Sequence, residues 1–132
     1  MRCRYRFVSL TLWRPVAPLP QRRGWLGDAQ LAFDTMAHNF DVGAFYTKWV
    51  RDLADSQDWN NATLATDGAL PDTVPFYGHG SAEADPGWGI AGWVVPLGLA
   101  QLFDDDRIER AWYPHARAYA EHWIRLASTT GG

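Results

Sequence analysis

Apolar residues recur at intervals of three and four along two stretches of the chain, which is the pattern of amphipathic helices. The first stretch runs from Ala29 to Ala37, with Asp28 as the predicted N-cap and an end near His38. The second stretch predicts a helix from about Val42 to Gln57. Its apolar face is formed by Phe45, Tyr46, Trp49, Val50 and Leu53.

The second half of the chain carries two more helical patterns, separated by the acidic turn Asp104–Asp106. Residues Trp88 to Phe103 are apolar almost all round, which predicts a buried helix that Pro96 kinks or shortens. Residues Arg107 to Ala127 predict the last helix, with Pro114 as an internal defect. Four tryptophans at core spacing in these helices are predicted to be buried: Trp49, Trp93, Trp112 and Trp123.

The segment between the second and third helices, residues 58 to 86, is rich in Asn, Asp, Gly and Pro. It keeps no period, which predicts a long irregular loop. No useful stretch alternates apolar and polar residues as a strand does, so the predicted class is all-α, with four helices paired as two αα-hairpins. We expect a basic, disordered leader at 1–18, a helical domain at 19–128 and a flexible tail at 129–132.

Charge is distributed unevenly, because residues 1 to 27 hold six Arg and no acid while the remaining residues hold all fifteen acidic side chains. The Arg residues are interleaved with Pro and apolar residues, a poor groove-binding element, so no nucleic-acid partner is expected. The apolar run Phe7–Trp13 ends at Arg14 and Pro15 instead of a small-residue cleavage site, which favours a cytoplasmic location over a signal peptide. No apolar stretch approaches the ~20 residues that span a bilayer, so no membrane partner is expected.

Metal and redox chemistry have little support in the sequence. Cys3 is the single cysteine, which excludes an intramolecular disulfide and a Cys-rich zinc site. His115 and His122 are seven residues apart without a third ligand in register, so no metal or other cofactor is expected. The eight Trp, five Tyr and six Phe suit either a helical core or a surface that stacks on sugar rings.

The most specific motif is Pro20-Gln21-Arg22-Arg23-Gly24-Trp25-Leu26-Gly27-Asp28-Ala29-Gln30. It resembles the signature of glycoside hydrolase family 78, the bacterial α-L-rhamnosidases, which reads Asp-Cys-Pro-Gln-Arg-Asp-Glu-Arg-Leu-Gly-Trp-x-Gly-Asp-Ala-Gln. The resemblance covers roughly residues 19 to 125 and implies that the chain is a fragment of an (α/α)6 toroid, the six-hairpin glycosidase fold. Further segments match in order: Asn39–Asp41, Trp49–Gln57, Leu70–Pro75 and Pro86–Gly89.

The resemblance implies inverting hydrolysis of terminal α-L-rhamnosides, a reaction that needs an acid and a base carboxyl group about 6.5 to 9.5 Å apart. Family positions that line the sugar site map onto Arg22, Trp25, Asp28 and Trp88. By this resemblance Asp28 binds sugar hydroxyls, a role compatible with helix capping, and Trp25 and Trp88 form apolar walls. A core role for the two tryptophans is the alternative.

The departures from the family signature concern the catalytic groups. Between Arg22 and Gly24 the family has four residues, including the general-acid glutamate, whereas this chain has Arg23 alone. Pro18 and Leu19 replace the family's Asp-Cys, and Ile90 stands where the family often has Asp. The family's base lies further along than this chain extends. No catalytic residue is therefore assigned.

Three functions stay open after these departures. The first is a rhamnosidase-like fragment that is inactive alone, because its acid and base are missing. The second is a non-catalytic carbohydrate-binding or interaction module, and the third is a helical scaffold without a carbohydrate role. A partial toroid leaves apolar helix faces exposed, which predicts self-association.

Overall fold

The computed structural model describes residues 23–64, 66–76, 78 and 80–130. The predicted leader, residues 1–18, lies outside them. The described chain is helical, and its only strand-like pairing is an isolated antiparallel bridge between Trp25 and Thr73, which confirms the all-α class. The helices are α1 (Leu26–Asn39), α2 (Gly43–Leu64), α3 (Pro86–Gly89), α4 (Ala91–Phe103) and α5 (Arg107–Thr130).

Helix α4 lies at the centre of the described chain, packed against α1, α2 and α5, and α2 also packs against α5. Gly98 allows the close approach of α1, because a β-carbon at this position would overlap the ring of Phe33. The Phe33 ring in turn meets Tyr46 of α2 edge to face, with centroids 4.8 Å apart. Buried side chains of one core join the four long helices: Phe33, Tyr46, Trp49, Leu53, Val95, Leu99, Trp112 and Tyr119.

Helix α2 is longer than its predicted end at Gln57, because it continues to Leu64. Its last turns are held by two buried amides, although Asn is a weak helix former. Gln57 Nε2 donates to the carbonyl of Gly68 at 2.6 Å, and Asn60 Nδ2 donates to the carbonyl of Ala82 at 3.0 Å. These contacts with the following loop outweigh the weak helix preference of Asn, so the irregular segment begins after Leu64 instead of at residue 58.

The predicted buried helix from Trp88 to Phe103 is wrong in two respects. It is split at Ile90 into α3 and α4, because Asp85 caps a separate turn that Pro86 begins. Trp93 is also 42% exposed, so its predicted core position is wrong, while Trp49 and Trp112 are buried and Trp123 packs partly buried against the core.

One side of α4 thus faces solvent. We call Ile90, Trp93, Val94 and Leu97 the α4 apolar face, since all four are more than a third exposed. Val95 and Leu99 on the other side are buried in the core. Apolar as α4 is, no helix in the described part of the chain has the length and hydropathy to cross a membrane.

Candidate functional site

Two of the residues singled out in the sequence, Trp25 and Trp88, meet edge to face. Their ring centroids are 5.3 Å apart and their planes cross at 82°. Perpendicular aromatic pairs of this kind are favourable because the positive edge of one ring meets the negative face of the other. Both side chains are only partly buried. We call this pair the tryptophan corner.

Trp25 is fixed by the antiparallel bridge that precedes α1. The backbone N–H of Leu26 donates to the carbonyl of Asp72 at 2.9 Å, and that of Val74 donates to the carbonyl of Gly24 at 2.8 Å. Gly24 is required here, because a β-carbon would collide with the Val74 carbonyl. The bridge therefore brings the matched segment Leu70–Pro75 beside Trp25.

Trp88 lies in α3, a one-turn helix in which both peptide groups of Gly87 form hydrogen bonds with side chains. Asp85 Oδ1 accepts from the N–H of Gly87 at 2.8 Å, and Gln30 Nε2 donates to the carbonyl of Gly87 at 2.6 Å. The indole of Trp88 then packs onto α1 at Gly27, where a β-carbon would lie 3.0 Å from two of its ring carbons.

Asp28 lies in the first turn of α1, not at its N-cap, so the predicted cap is wrong. The helix begins at Leu26, and Trp25 occupies the N-cap position with extended backbone and no side-chain hydrogen bond. A carboxylate in the first turn is still stabilised by the positive end of the helix dipole. Among the described residues its oxygens form no hydrogen bond or ion pair.

Asp72, a second carboxylate near the corner, binds the backbone of its own loop. Its Oδ2 accepts from the N–H of Ser81 at 2.6 Å, and its own N–H donates to the Ser81 carbonyl at 2.9 Å. Gly80, at φ +78°, packs this turn onto Trp25, since a β-carbon there would lie 2.7 Å from Asp72 Oδ2 and 3.1 Å from the Trp25 ring.

The layer beneath α3 belongs to α5 and is poor in hydrogen bonds. Gly89 lies against the hydroxyl of Tyr119. Burial raises the pKa of Tyr119, the neighbouring Trp123 side chain opposes that rise, and the charge of Asp85 adds to it. The Tyr119 hydroxyl, His122 Nε2 and Trp123 Nε1 are buried without a hydrogen-bond partner. No cluster of three or more His, Cys, Asp or Glu suited to a metal ion occurs in the residues that the structure describes.

The fold brings Trp25 and Trp88 into contact, and Asp28 follows Trp25 by three residues in the first turn of α1. Arg22 lies outside the described residues. Sequence reasoning missed the residues that hold the corner together. Gln30, Asp72 and Asp85 each lie in or beside a segment that matches the family, but spacing along the chain does not reveal which backbone group each one contacts.

Comparison with known proteins gives a consistent match. Residues 17–130 match the family described as the bacterial alpha-L-rhamnosidase 6 hairpin glycosidase domain. An alpha-L-rhamnosidase of Streptomyces avermitilis is 35% identical over an alignment of 119 residues that covers 84% of this chain and 11% of that protein. One from Formosa agariphila is 33% identical over an alignment of 111 residues that covers 79% of this chain and 11% of that protein.

Two solved structures share the fold. The alpha-L-rhamnosidase from Dictyoglumus thermophilum superimposes with a TM-score of 0.71 at 32% identity, over 80% of this chain and 11% of that one. The Streptomyces avermitilis alpha-L-rhamnosidase complexed with L-rhamnose gives 0.67 at 33% identity, over 79% of this chain and 9% of that one. The chain therefore spans about a tenth of the length of the relatives it matches.

Proposed function

This chain belongs to the bacterial α-L-rhamnosidase six-hairpin glycosidase family, and we propose that it forms the sugar-binding wall of a rhamnosidase-type catalytic domain without carrying out hydrolysis itself. The observation that carries the proposal is the tryptophan corner, with Asp28 one helical turn from Trp25. Arg22 joins this wall by the family resemblance alone.

The corner suits a deoxyhexose such as L-rhamnose. Such a sugar has C–H groups and a methyl group that pack on indole, and hydroxyl groups that need polar partners. Trp25 and Trp88 offer two apolar surfaces at right angles, so one can lie along the ring while the other meets its edge. The Asp28 carboxylate accepts hydrogen bonds from hydroxyls, and no partner in the described chain competes for it.

The proposed absence of hydrolysis rests on the segment before Trp25. Arg23 is the only residue between Arg22 and Gly24, so this segment carries no carboxylate. Trp25 directly afterwards pairs with Thr73 in the antiparallel bridge. The nearby carboxylates of Asp72 and Asp85 accept from backbone N–H groups of their own loops. Loss of a general acid lowers a rate by about 10² to 10⁴, so we propose no measurable turnover by this chain alone.

The binding part of the proposal is tested by titrating the purified chain with L-rhamnose while tryptophan fluorescence is recorded. We expect a saturable change that Trp25→Ala and Trp88→Ala abolish. Trp93→Ala, on the exposed α4 apolar face, serves as the matched control and keeps the response. A titration without saturation contradicts the proposal.

The hydrolytic part is tested with an aryl α-L-rhamnoside as substrate. We expect no release of the aryl group above a protein-free blank. Release that persists through purification and is abolished by Asp28→Asn contradicts the proposed inactivity.

A second proposal concerns the α4 apolar face. The family domain has six hairpins and the described chain provides two, so we propose that this face pairs with a second copy when the chain is isolated. Sedimentation velocity should show concentration-dependent association that the double substitution Trp93→Gln and Leu97→Gln removes. Leu31→Gln, at an 81% exposed position on α1, is the control. A chain that is monomeric at all concentrations contradicts the proposal.

A further inference from the structure

Gln30 of α1 reaches across to α3, the one-turn helix that carries Trp88. Its Nε2 donates to the Gly87 carbonyl at 2.6 Å, and the two residues are 57 positions apart in the chain. Its Oε1 is buried and has no hydrogen-bond partner. The amide therefore makes one defined contact, and that contact is with the residue directly before Trp88.

A helix of one turn cannot hold its own geometry, because forming a first turn fixes several residues for very few hydrogen bonds. Within α3 the carbonyl of Asp85 accepts from Trp88 and Gly89, and that of Pro86 accepts from Ile90. The Gly87 peptide groups bind side chains instead of these backbone groups: its N–H donates to Asp85, and its carbonyl accepts from Gln30. Gln30 is the only one of these groups that belongs to another helix.

Gln30 also lies three residues after Gly27, so the two share a face of α1. Gly27 supports the Trp88 ring from below, and Gln30 fixes the backbone from which that ring projects. Together they set the position of α3 relative to α1, which begins directly after Trp25. The angle between Trp25 and Trp88 depends on that relative position.

We propose that Gln30 is the positioning residue of the tryptophan corner: its hydrogen bond to Gly87 holds Trp88 perpendicular to Trp25 and thereby sets the affinity of the corner for sugar. The affinity part rests on the function proposed above, and the geometric part does not.

The test compares Gln30→Met and Gln30→Glu with the unsubstituted chain. Both replacements remove the N–H donor, and both residues favour helix about as well as Gln. Gln101→Met, at an exposed position on α4, is the matched control. The geometric measurement is the upfield ring-current shift of indole protons in the NMR spectrum, assigned to the corner by its loss in Trp25→Phe and Trp88→Phe.

We expect both Gln30 variants to lose most of this shift, while Gln101→Met keeps it and all three retain the helical circular dichroism of the parent. The dissociation constant for L-rhamnose should rise about fivefold, the factor that corresponds to one hydrogen bond. A shift retained in both Gln30 variants, or no such shift in the parent chain, overturns the proposal. If one of the two Gln30 variants does not fold, the ring-current shift of the other variant tests the proposal.

The two proposals fail separately. A parent chain that shows the Gln30-dependent shift but no saturable response to L-rhamnose supports the positioning of Trp88 and contradicts the sugar-binding function. A saturable response that neither Gln30 variant weakens contradicts the link between Gln30 and affinity.

Discussion

Gly27 of α1 lies directly beneath the indole of Trp88, and a β-carbon at this position would sit 3.0 Å from the Cδ2 and Cε2 atoms of that ring. Contacts this close leave no room for an added methyl group unless the ring moves. The glycine therefore has a packing reason to stand inside a helix, where glycine is otherwise about 1 kcal/mol less favourable than alanine.

Gly27→Ala should displace Trp88 and weaken the response of the chain to L-rhamnose. Its free energy of unfolding should change by less than about 1 kcal/mol, because the gain in helix propensity offsets the strain. Gly43→Ala is the control, since its β-carbon would meet the ring of Phe103 at 3.2 Å, outside the tryptophan corner. Equal titration curves for the parent and Gly27→Ala would show that the Trp88 position does not matter for binding.

Gln57→Leu should destabilise the chain by roughly 3 kcal/mol, measured by urea unfolding. The side chain is 1% exposed, its Nε2 donates to the carbonyls of Gly68 and His115, and its Oε1 pairs with His115 Nδ1 at 2.8 Å. Leucine fills a similar volume but has neither the donor nor the acceptor that makes these hydrogen bonds. Gln101→Leu, at an exposed site, should change stability by less than about 0.5 kcal/mol. An equal effect of both substitutions contradicts this role.

Leu53→Ala should lower the free energy of unfolding by about 2 to 5 kcal/mol, because Leu53 is fully buried in the core that joins the four long helices. Leu31→Ala removes the same atoms from a position that is 81% exposed and should cost less than about 0.5 kcal/mol. Urea unfolding of both variants measures the difference. A small effect at Leu53 would mean that the core is not packed in solution as described.

Stability should fall as the pH rises above about 10. Burial raises the pKa of Tyr46 from 10.0 to about 12, so between these values the unfolded chain loses a proton that the folded chain keeps. The unfolding free energy then decreases with pH, at no more than about 1.4 kcal/mol per pH unit for this group. The raised pKa of Tyr119 acts in the same direction.

Tyr46→Phe removes one of these two groups and should flatten the fall in stability between pH 10 and 12. Tyr113→Phe, at a position 62% exposed, should leave the slope unchanged. Thermal unfolding followed by circular dichroism over this range measures both slopes. Identical slopes for the parent and Tyr46→Phe contradict the burial of the phenol.

The sequence predicted the helices wherever a periodic apolar face decided the outcome. The core residues Tyr46, Trp49 and Leu53 share one side of α2, and each is buried as their spacing requires. The end of α2 was missed because buried amides such as Asn60 hold it through contacts with a distant loop. The exposure of Trp93 was missed because α4 is apolar on both sides, so its sequence does not distinguish the core side from the solvent side.

The sequence named candidate residues for this site but did not predict the contacts among them. The family motif singled out Trp25, Asp28 and Trp88, whereas the contact between Trp25 and Trp88 joins positions 63 residues apart. Long-range pairings such as the bridge to Thr73 depend on how the loop folds back, which a single sequence does not encode as a local pattern. Asp28 was predicted as the N-cap because nothing in the sequence indicated the bridge at Trp25, after which α1 begins at Leu26.

The proposed sugar binding is tested most directly by following the tryptophan indole N–H signals of the ¹⁵N-labelled chain during an L-rhamnose titration. The Trp93→Gln, Leu97→Gln background keeps the chain dispersed, and single Trp→Phe substitutions assign the signals. We expect saturable shifts of the Trp25 and Trp88 signals, while those of the buried Trp49 and Trp112 stay in place. No saturable shift, or shifts confined to tryptophans outside the corner, would contradict the proposed sugar binding.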